Sequence, residues 1–396
     1  MSAAPIESSS RPAWRTRAWG IVAALSITET VSWGILYYAF AAFLVPMQRD
    51  LGFSAAQLTG AFSLALVVAA AAGIGVGRYL DHHSPRALMT AGSFAGSALV
   101  VVWSQVDGLA AFYVLWAAIG VVLATVLYEP AFTVVAKHFP EPTERRRAMT
   151  AMTLVAALAS SIFLPLTQAL IDAHGWRDAL LILAAVLAAV TIPLHALVLR
   201  PGTRHIETGE PSAPARDVFR STSFWLLSTA FVLASLSTIA MTVFTIPYLL
   251  EHGHSPAFAA FALGLIGVSQ IPGRLLFAPL GRRIPAVFAL IAVGIAGVVA
   301  IHSTAAVLVG LVLLGMGNGM ATLARATAIA DRYGSAAYGT IASVAGGMTT
   351  AARAAGPFAA ALYAAAVGYT ALLWTLAALA LAAAALARTS ERPSAH

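Results

Sequence analysis

Long runs of apolar residues, separated by short polar turns, recur along almost the whole chain. Each run has about 20 residues or more, the length that an α-helix needs to cross about 30 Å of hydrocarbon. Backbone amides in lipid must be paired within their own segment, and the runs lack the alternation of barrel strands, so the pattern predicts membrane helices. The twelve predicted spans cover residues 18–46, 55–80, 86–104, 108–136, 147–171, 177–199, 222–249, 256–280, 285–302, 305–330, 337–366 and 368–387.

The chain repeats itself after about half its length. A basic turn between two apolar runs, GRYLDHHSPR from Gly77 to Arg86, has a weaker copy, GRLLFAPLGRR from Gly273 to Arg283, and the two glycines lie 196 residues apart. Three further landmarks keep nearly this offset in the same order: Ala136 and Ala330, Leu164 and Gly356, and Gly175 and Gly368. A parallel duplication in a membrane protein is typical of a secondary transporter built from two halves.

This repetition predicts an all-α membrane protein with twelve transmembrane helices in two pseudo-symmetric six-helix bundles. The connection between the halves is polar and rich in proline and glycine, as expected of a tether. We expect a tail at residues 1–17, a first bundle at 18–199, a linker at 200–221, a second bundle at 222–387 and a tail at 388–396.

Composition and charge support the membrane assignment. The chain is 60% hydrophobic and 10% charged, whereas soluble domains carry about 25% charged residues. The net charge of +7 does not indicate nucleic-acid binding, because the basic residues lie in turns between apolar runs. With a cytoplasmic N-terminus, the outward turns hold only Arg49 and Arg177, so the positive-inside rule predicts both termini in the cytoplasm and a multi-pass protein of the inner membrane.

The first basic turn resembles the signature of the loop between helices 2 and 3 in the major facilitator superfamily, where Gly77, Asp81 and Arg86 match. The resemblance implies the superfamily's fold and a gating role for these three residues. Asp81 would accept amide hydrogen bonds at the start of helix 11, where the helix dipole favours negative charge. The alternative is an ordinary cap of its own polar turn. The second copy departs from the signature, because Phe277 stands where the first copy has Asp81.

A narrower resemblance links two helices to the monocarboxylate porters and oxalate/formate exchangers. Helix 1 reads SWGILYYAFAAFLVPMQRDLGFS from Ser32 to Ser54, and helix 8 carries Arg274. In those families a basic residue at each of the positions of Arg274 and Arg353 surrounds the substrate carboxylate. The resemblance therefore implies that these two arginines bind substrate.

We single out five ionisable residues well inside predicted spans, where each costs about 2.5–3.5 kcal/mol unless it faces water or a partner. Two are acids and three are bases, which leaves one positive charge in excess and suits an anionic substrate. They are Glu29, Glu129, Arg274, Arg325 and Arg353.

Both substrate-binding arginines have a structural alternative. A guanidinium matches a carboxylate through two hydrogen bonds, which favours binding. Arg274 could instead extend toward Arg282 and Arg283 as part of the loop signature. Arg353 could instead pair with a carbonyl or with Glu29.

The two acids are candidates for proton coupling. A carboxyl group removed from water takes up a proton more readily, so we predict that Glu29 carries the proton, with a permanent ion pair to an arginine as the alternative. Glu129 is a second candidate. It and Arg325 occupy nearly equivalent places on helices 4 and 10, and we predict a gating salt bridge between them; alternatively, Glu129 satisfies a helix broken by Pro130.

Aromatic residues on helix 1 predict a wall for the body of an organic acid. Trp33, Tyr37 and Phe40 follow helical spacing along one face, and Tyr38 lies beside them. We predict that Trp33, Tyr37 and Tyr38 contact the substrate, although packing against lipid or neighbouring helices is as consistent with the pattern.

These observations predict a secondary active transporter of small organic anions, most simply monocarboxylates, coupled to protons or working by exchange. The runner-up is a proton-driven exporter of lipophilic compounds, but 153–167 lacks the glycines typical of that group's helix 5. The lone lysine, Lys137, follows no glycine-rich loop, so an ATP-hydrolysing enzyme is not expected. The partners expected are the anion, a proton and the bilayer, with no cofactor, metal or nucleic acid, and the chain is expected to be a monomer.

Overall fold

The computed structural model describes residues 13–199, 213–280, 283–301 and 303–391. Much of the predicted N-terminal tail and linker, the end of the C-terminal tail, and Arg282 lie outside these residues. A short helix, Ala215–Arg220, precedes the second half of the chain.

Within the described residues, twelve long helices follow one another with short connections and no strand. The first half consists of α1 (Ala13–Trp33, a π-helical turn Gly34–Tyr38, and Ala39–Leu51), α2 (Ala55–His82), α3 (Pro85–Trp103), α4 (Leu109–Val126 and Tyr128–His138), α5 (Pro142–Ala156 and Ala159–His174) and α6 (Trp176–Val198). The second half consists of α7 (Thr222–Glu251), α8 (Pro256–Leu280), α9 (Ile284–Ala300), α10 (Thr304–Tyr333), α11 (Tyr338–Val367) and α12 (Tyr369–Ser390).

The helices match the predicted spans in number and order. Ten of them are long and apolar enough to cross a membrane, and α9 is a shorter apolar helix. The remaining helix, α11, contains several glycines and threonines and carries Arg353, and it is not among the ten.

Helix α5 begins earlier than predicted. Its first residue is Pro142, and the Glu141 carboxylate accepts the backbone N–H groups of Thr143 at 2.9 Å and Glu144 at 2.6 Å. An N-cap that pairs free amides, followed by a proline at the first helical position, is a strong start signal. Arg145 and Arg146, expected before the span, therefore lie on the first turns of α5.

Two helices are interrupted beside the centre of the molecule. In α4 the backbone at Leu127 is extended, between Val126 and Tyr128. Pro130 lacks an N–H group and its ring clashes with the carbonyl four residues earlier, which is that of Val126, so the break follows from the proline. In α5 the interruption lies at residues 157–158.

The two halves pack tightly at one end only. We call this the latch end; it holds the α2–α3, α4–α5 and α10–α11 turns, and we call the other the open end. One apolar core runs from the latch-end parts of α1, α4 and α5 into the second half. A separate core around Phe43, Trp103 and Trp116 fills the open-end part of the first half, and it contains no described residue of α7–α12. The halves therefore separate toward the open end.

Candidate functional site

A cavity of about 450 Å³ lies between the two halves. Helices α1, α2, α4 and α5 line it on one side, and α7, α8, α10 and α11, with Ile291 of α9, on the other. Seven predicted site residues line it together: Trp33, Tyr37, Tyr38, Glu129, Arg274, Arg325 and Arg353. Four others lie outside its lining: Glu29, Gly77, Asp81 and Arg86.

Arg353 presents a free positive charge to this cavity. Its side chain is exposed there, and it makes no hydrogen bond or ion pair with any described residue. A guanidinium at membrane depth without a protein partner is costly unless water or a ligand compensates it. Within the described part of the chain, Arg353 pairs neither with a carbonyl nor with Glu29, so neither structural alternative is observed.

Arg274 is held across the interface between the halves. The side chain is buried, and Nη1 donates to the backbone carbonyl of Thr153 on α5 at 2.6 Å. Its Nε has no hydrogen-bond partner among the described atoms. The alternative in which Arg274 extends toward Arg283 is therefore wrong, because its guanidinium lies in the cavity wall. Arg274, Arg353 and Tyr38 all line the same cavity.

Aromatic rings form the wall that α1 and α4 contribute. The Trp33 ring centroid lies 4.9 Å from that of Tyr37 and 5.0 Å from that of Tyr128, and the Tyr37 centroid lies 5.2 Å from that of Tyr38. Tyr128, which the sequence reasoning missed, immediately follows the break in α4. These rings offer contact area for the body of a ligand.

The π-helical turn decides which α1 rings face the cavity. Each π turn holds more residues than an α turn, and such turns are frequent at functional sites. After the turn, Phe40 lies in the core of the first half, stacked on Phe62 at 4.7 Å. The helical spacing that grouped Phe40 with Trp33 and Tyr37 was therefore wrong for Phe40.

Glu29 is fully buried behind Trp33. Its Oε2 accepts a hydrogen bond from Trp33 Nε1 at 3.0 Å, while Oε1 has no partner among the described atoms. It forms no ion pair in the described residues, so the alternative of a permanent pair with an arginine is not observed. Trp33 alone connects Glu29 to the cavity through a direct hydrogen bond.

Glu129 and Arg325 meet at the latch-end floor of the cavity. Arg325 Nη2 lies 2.6 Å from Glu129 Oε1, joining α4 to α10. Gly346 of α11 packs against the pair, and a Cβ there would stand 2.5 Å from Glu129 Oε1. The break in α4 that the alternative interpretation required is also present, but one carboxylate oxygen of Glu129 is used by Arg325.

Asp81 joins α2 to the first turn of α11. Its Oδ1 accepts the N–H of Gly339 at 2.7 Å and its Oδ2 that of Thr340 at 2.8 Å. Gly77 and Gly339 lie at the crossing of the two helices, where a side chain on either would overlap the other helix. Asp81 therefore caps a helix of the other half, not its own turn.

Two basic residues near Asp81, Lys137 and Arg86, differ in their hydrogen bonds. Lys137 Nζ donates to the carbonyls of Leu80 at 2.5 Å and Asp81 at 3.1 Å, which fixes the end of α2. Arg86, by contrast, has no side-chain partner in the described residues.

A second link at the latch end was missed by the sequence reasoning. Arg145 Nη2 lies 2.6 Å from Asp331 Oδ1, and Arg146 Nη1 lies 2.8 Å from Oδ2 of the same carboxylate. Among the described residues, every hydrogen bond and ion pair seen between the halves lies at the latch end or at the cavity. The repeat offered a signal for this link. At the position where the first half has the basic Lys137, the second half has an acid, Asp331.

Comparison with known proteins identifies similar chains. Residues 25–300 match the family model described as Major Facilitator Superfamily. The chain is 25% identical over 239 residues to the oxalate:formate antiporter of Oxalobacter formigenes, covering 59% of this chain and 54% of the antiporter. It is 28% identical over 163 residues to monocarboxylate transporter 13 of Bos taurus, covering 40% of this chain and 37% of the transporter. The chain thus matches about half of the antiporter's length and less of the other relative.

Solved structures share the whole fold. The fucose:proton symporter FucP of E. coli has a TM-score of 0.74 at 16% identity, covering 96% of this chain and 100% of the symporter chain. The human organic anion transporter MFSD10 has a TM-score of 0.70 at 15% identity, with coverages of 95% and 100%. The prediction of twelve membrane helices in two bundles is confirmed, as is the resemblance to the major facilitator superfamily. The narrower resemblance agrees with the names of the two relatives, each of which is matched over only part of its length.

We expect that removing the latch contacts opens the latch end and closes the cavity on the other side. The chain has no cysteine, so Ser161→Cys places a single thiol in the cavity wall. Hydrogen bonds to a charged group contribute about 1.5–3 kcal/mol, so Asp81→Ala should slow labelling by an impermeant maleimide, added on the side of the open end, by about tenfold or more. Asp331→Ala should act in the same direction but more weakly, because its ion pairs are partly exposed.

Asp178→Ala is the matched control, because Asp178 is an exposed acid at the start of α6, away from the interface. Equal labelling of the thiol in all three backgrounds would contradict a latch role for Asp81 and Asp331.

Proposed function

The chain belongs to the major facilitator superfamily, a family of transporters, and from this premise we propose that it is a secondary active transporter of small organic anions. The proposed substrates are monocarboxylates. The two halves would rock around the central cavity and expose it to one side of the membrane at a time.

The observation that carries this proposal is the unpaired positive charge in the cavity. Arg353 has no partner in the described residues, and the contacts of Arg274 are neutral, the Thr153 carbonyl and the Tyr128 hydroxyl, with Nε free. A carboxylate between them would receive charge-assisted hydrogen bonds in a site of low dielectric constant. The two guanidinium groups are the proposed anchor for the substrate.

The balance of charges around the cavity favours an anion over a cation. Glu129 and Arg325 neutralise each other, so the remaining charges are those of Glu29, Arg274 and Arg353. One positive charge is left over even when Glu29 is ionised. A lipophilic cation, the substrate of the alternative exporter, would meet this excess charge without compensation.

The names of the similar proteins support the same substrate class. One is an oxalate:formate antiporter and another a monocarboxylate transporter. Each matches only part of its length to this chain, so the assignment of monocarboxylates to this protein remains our proposal.

We assign the latch end to the cytoplasm, because most basic residues of the sequence lie in the turns and tails of that end. The structure then corresponds to an outward-facing state, closed by Asp81, by the Glu129–Arg325 pair and by Asp331. Transport would require these contacts to break while the halves meet at the open end. Arg86 has no partner in this state, so any gating contact that it makes belongs to the other.

Glu29 is the proposed proton site. It is fully buried, has one free oxygen and pairs with no described base. Its link to the cavity through Trp33 would let substrate binding alter its surroundings. Glu129 is the weaker candidate in this state, because Arg325 pairs with one of its oxygens and favours its charged form.

We expect saturable uptake of labelled monocarboxylates into liposomes that contain the purified protein, driven by a pH gradient. Arg353→Gln and Arg274→Gln should each lower uptake at least tenfold, since each removes one charge from the proposed anchor, and Arg353→Lys should retain more activity than Arg353→Gln. Initial rates over a series of concentrations measure the effect.

Arg49→Gln is the matched control, because Arg49 is an exposed arginine on an outer turn without a described partner. If the parent moves a lipophilic cation against the proton gradient and no acid, the protein is an exporter and the anion proposal is wrong.

Glu29→Gln should separate proton coupling from substrate movement. The amide keeps an acceptor for Trp33 but cannot take up a proton. We expect loss of accumulation driven by the pH gradient, with exchange of labelled for unlabelled acid preserved. Gradient-driven accumulation equal to that of the parent would show that Glu29 does not carry the coupled proton.

A further inference from the structure

One face of α8 leaves open space in the cavity. Gly264, Gly267, Ile271 and Arg274 follow helical spacing, and all four line the cavity. A Cβ atom added at Gly264 or Gly267 would have no neighbouring atom within 4 Å. The two glycines therefore widen the cavity on the open-end side of Arg274.

Close helix packing does not explain these two glycines. Gly273, farther along the same helix, sits directly against the backbone of Met316 on α10, where no side chain fits. Gly264 and Gly267 have no such neighbour, yet a glycine in a helix interior is less stable than an alanine. Since these two glycines do not serve helix packing, the effect of their small size is the extra space in the cavity.

The aromatic wall lines the same cavity as this α8 face and lies on helices of the other half. Trp33, Tyr37, Tyr38 and Tyr128 supply it, within a network of ring contacts. A flat apolar body between these rings and the glycines would be in contact on both sides. Aromatic side chains bind aromatic ligands well, because offset-stacked and edge-to-face contacts between rings contribute binding free energy beyond that of the buried apolar area.

Size and charge together narrow the ligand further. A cavity of about 450 Å³ falls in the range of roughly 300–1,000 Å³ that holds drug-sized molecules. A two- or three-carbon acid would leave most of this space to water. Only Arg353 is entirely unpaired among the cavity charges described, while Arg274 already binds Thr153, which favours one carboxylate over two.

We propose that the preferred substrate is an aromatic monocarboxylate. Its carboxylate binds Arg353 and Arg274, and its ring lies between the aromatic wall and the glycine face of α8. This inference rests on the proposed function, transport of organic anions, and adds the class of acid and two specificity-determining residues, Gly264 and Gly267.

The parent protein provides the first test. Liposomes containing it are assayed for uptake of labelled benzoate, phenylacetate, lactate, acetate and oxalate under the same pH gradient. We expect uptake efficiency for the aromatic acids to exceed that for the short acids at least tenfold. A preference for lactate, acetate or oxalate would overturn the inference while leaving the proposed function standing, and uptake of no acid at all would remove both.

A graded series at Gly267 provides the second test. Gly267→Ala, Gly267→Val and Gly267→Leu should lower the ratio of benzoate to acetate uptake in steps, to at most a tenth of the parent ratio for leucine. Gly75→Leu is the matched control, because Gly75 is an exposed glycine of α2 with equally open surroundings outside the cavity. A ratio that stays constant through the Gly267 series would contradict the placement of the ring, because loss of folded protein lowers both rates together.

Discussion

A charge inside a membrane needs a partner, and the charged residues around the central cavity meet this need in three ways. Glu129 and Arg325 pair with each other across the halves. Arg274 donates a hydrogen bond to a neutral backbone carbonyl of the opposite half. Arg353 and one oxygen each of Glu29 and Glu129 find no partner among the described residues. Because unpaired charge is costly in this setting, the groups left open are those that a substrate and a proton would complete. The pairing also ties chemistry to motion, since Arg274 and Arg325 contact both the cavity and the interface between the halves.

The two halves of the repeat close the latch end by different means. In the first half, Asp81 reaches across to the amides of α11. In the second half, Phe277 stands at the corresponding position and is buried. The start of α5, which that missing acid would serve, is capped locally by Glu141. Asp331 then restores a link between the halves through Arg145 and Arg146. The second half therefore places its charged link at a different position along the chain, and the latch end is closed by both halves.

The fold followed from the sequence because the bilayer fixes the length of each apolar run, and the repeat fixes how the runs are grouped. The meeting of Glu129 with Arg325 could be anticipated because pseudo-symmetry relates α4 and α10. Other features leave no such trace. Arg274 donates its hydrogen bond to the backbone carbonyl of Thr153. Every residue has such a carbonyl, so the amino-acid sequence does not indicate which one is the acceptor. The π-helical turn changes which α1 side chains face inward, and it removed Phe40 from the predicted wall. The glycines of α8 show their role only once it is known which glycines lie against a neighbouring helix.

The central claim is that the unpaired guanidinium groups between the halves form the binding site for the substrate carboxylate. An experimental structure of the parent protein with benzoate bound tests it most directly. We expect the carboxylate within hydrogen-bond distance of Arg353, the ring against the α1 aromatic residues, and Arg274 turned from the Thr153 carbonyl toward the acid. Benzoate bound elsewhere, with Arg353 still free in the cavity and Arg274 still on Thr153, would contradict the claim.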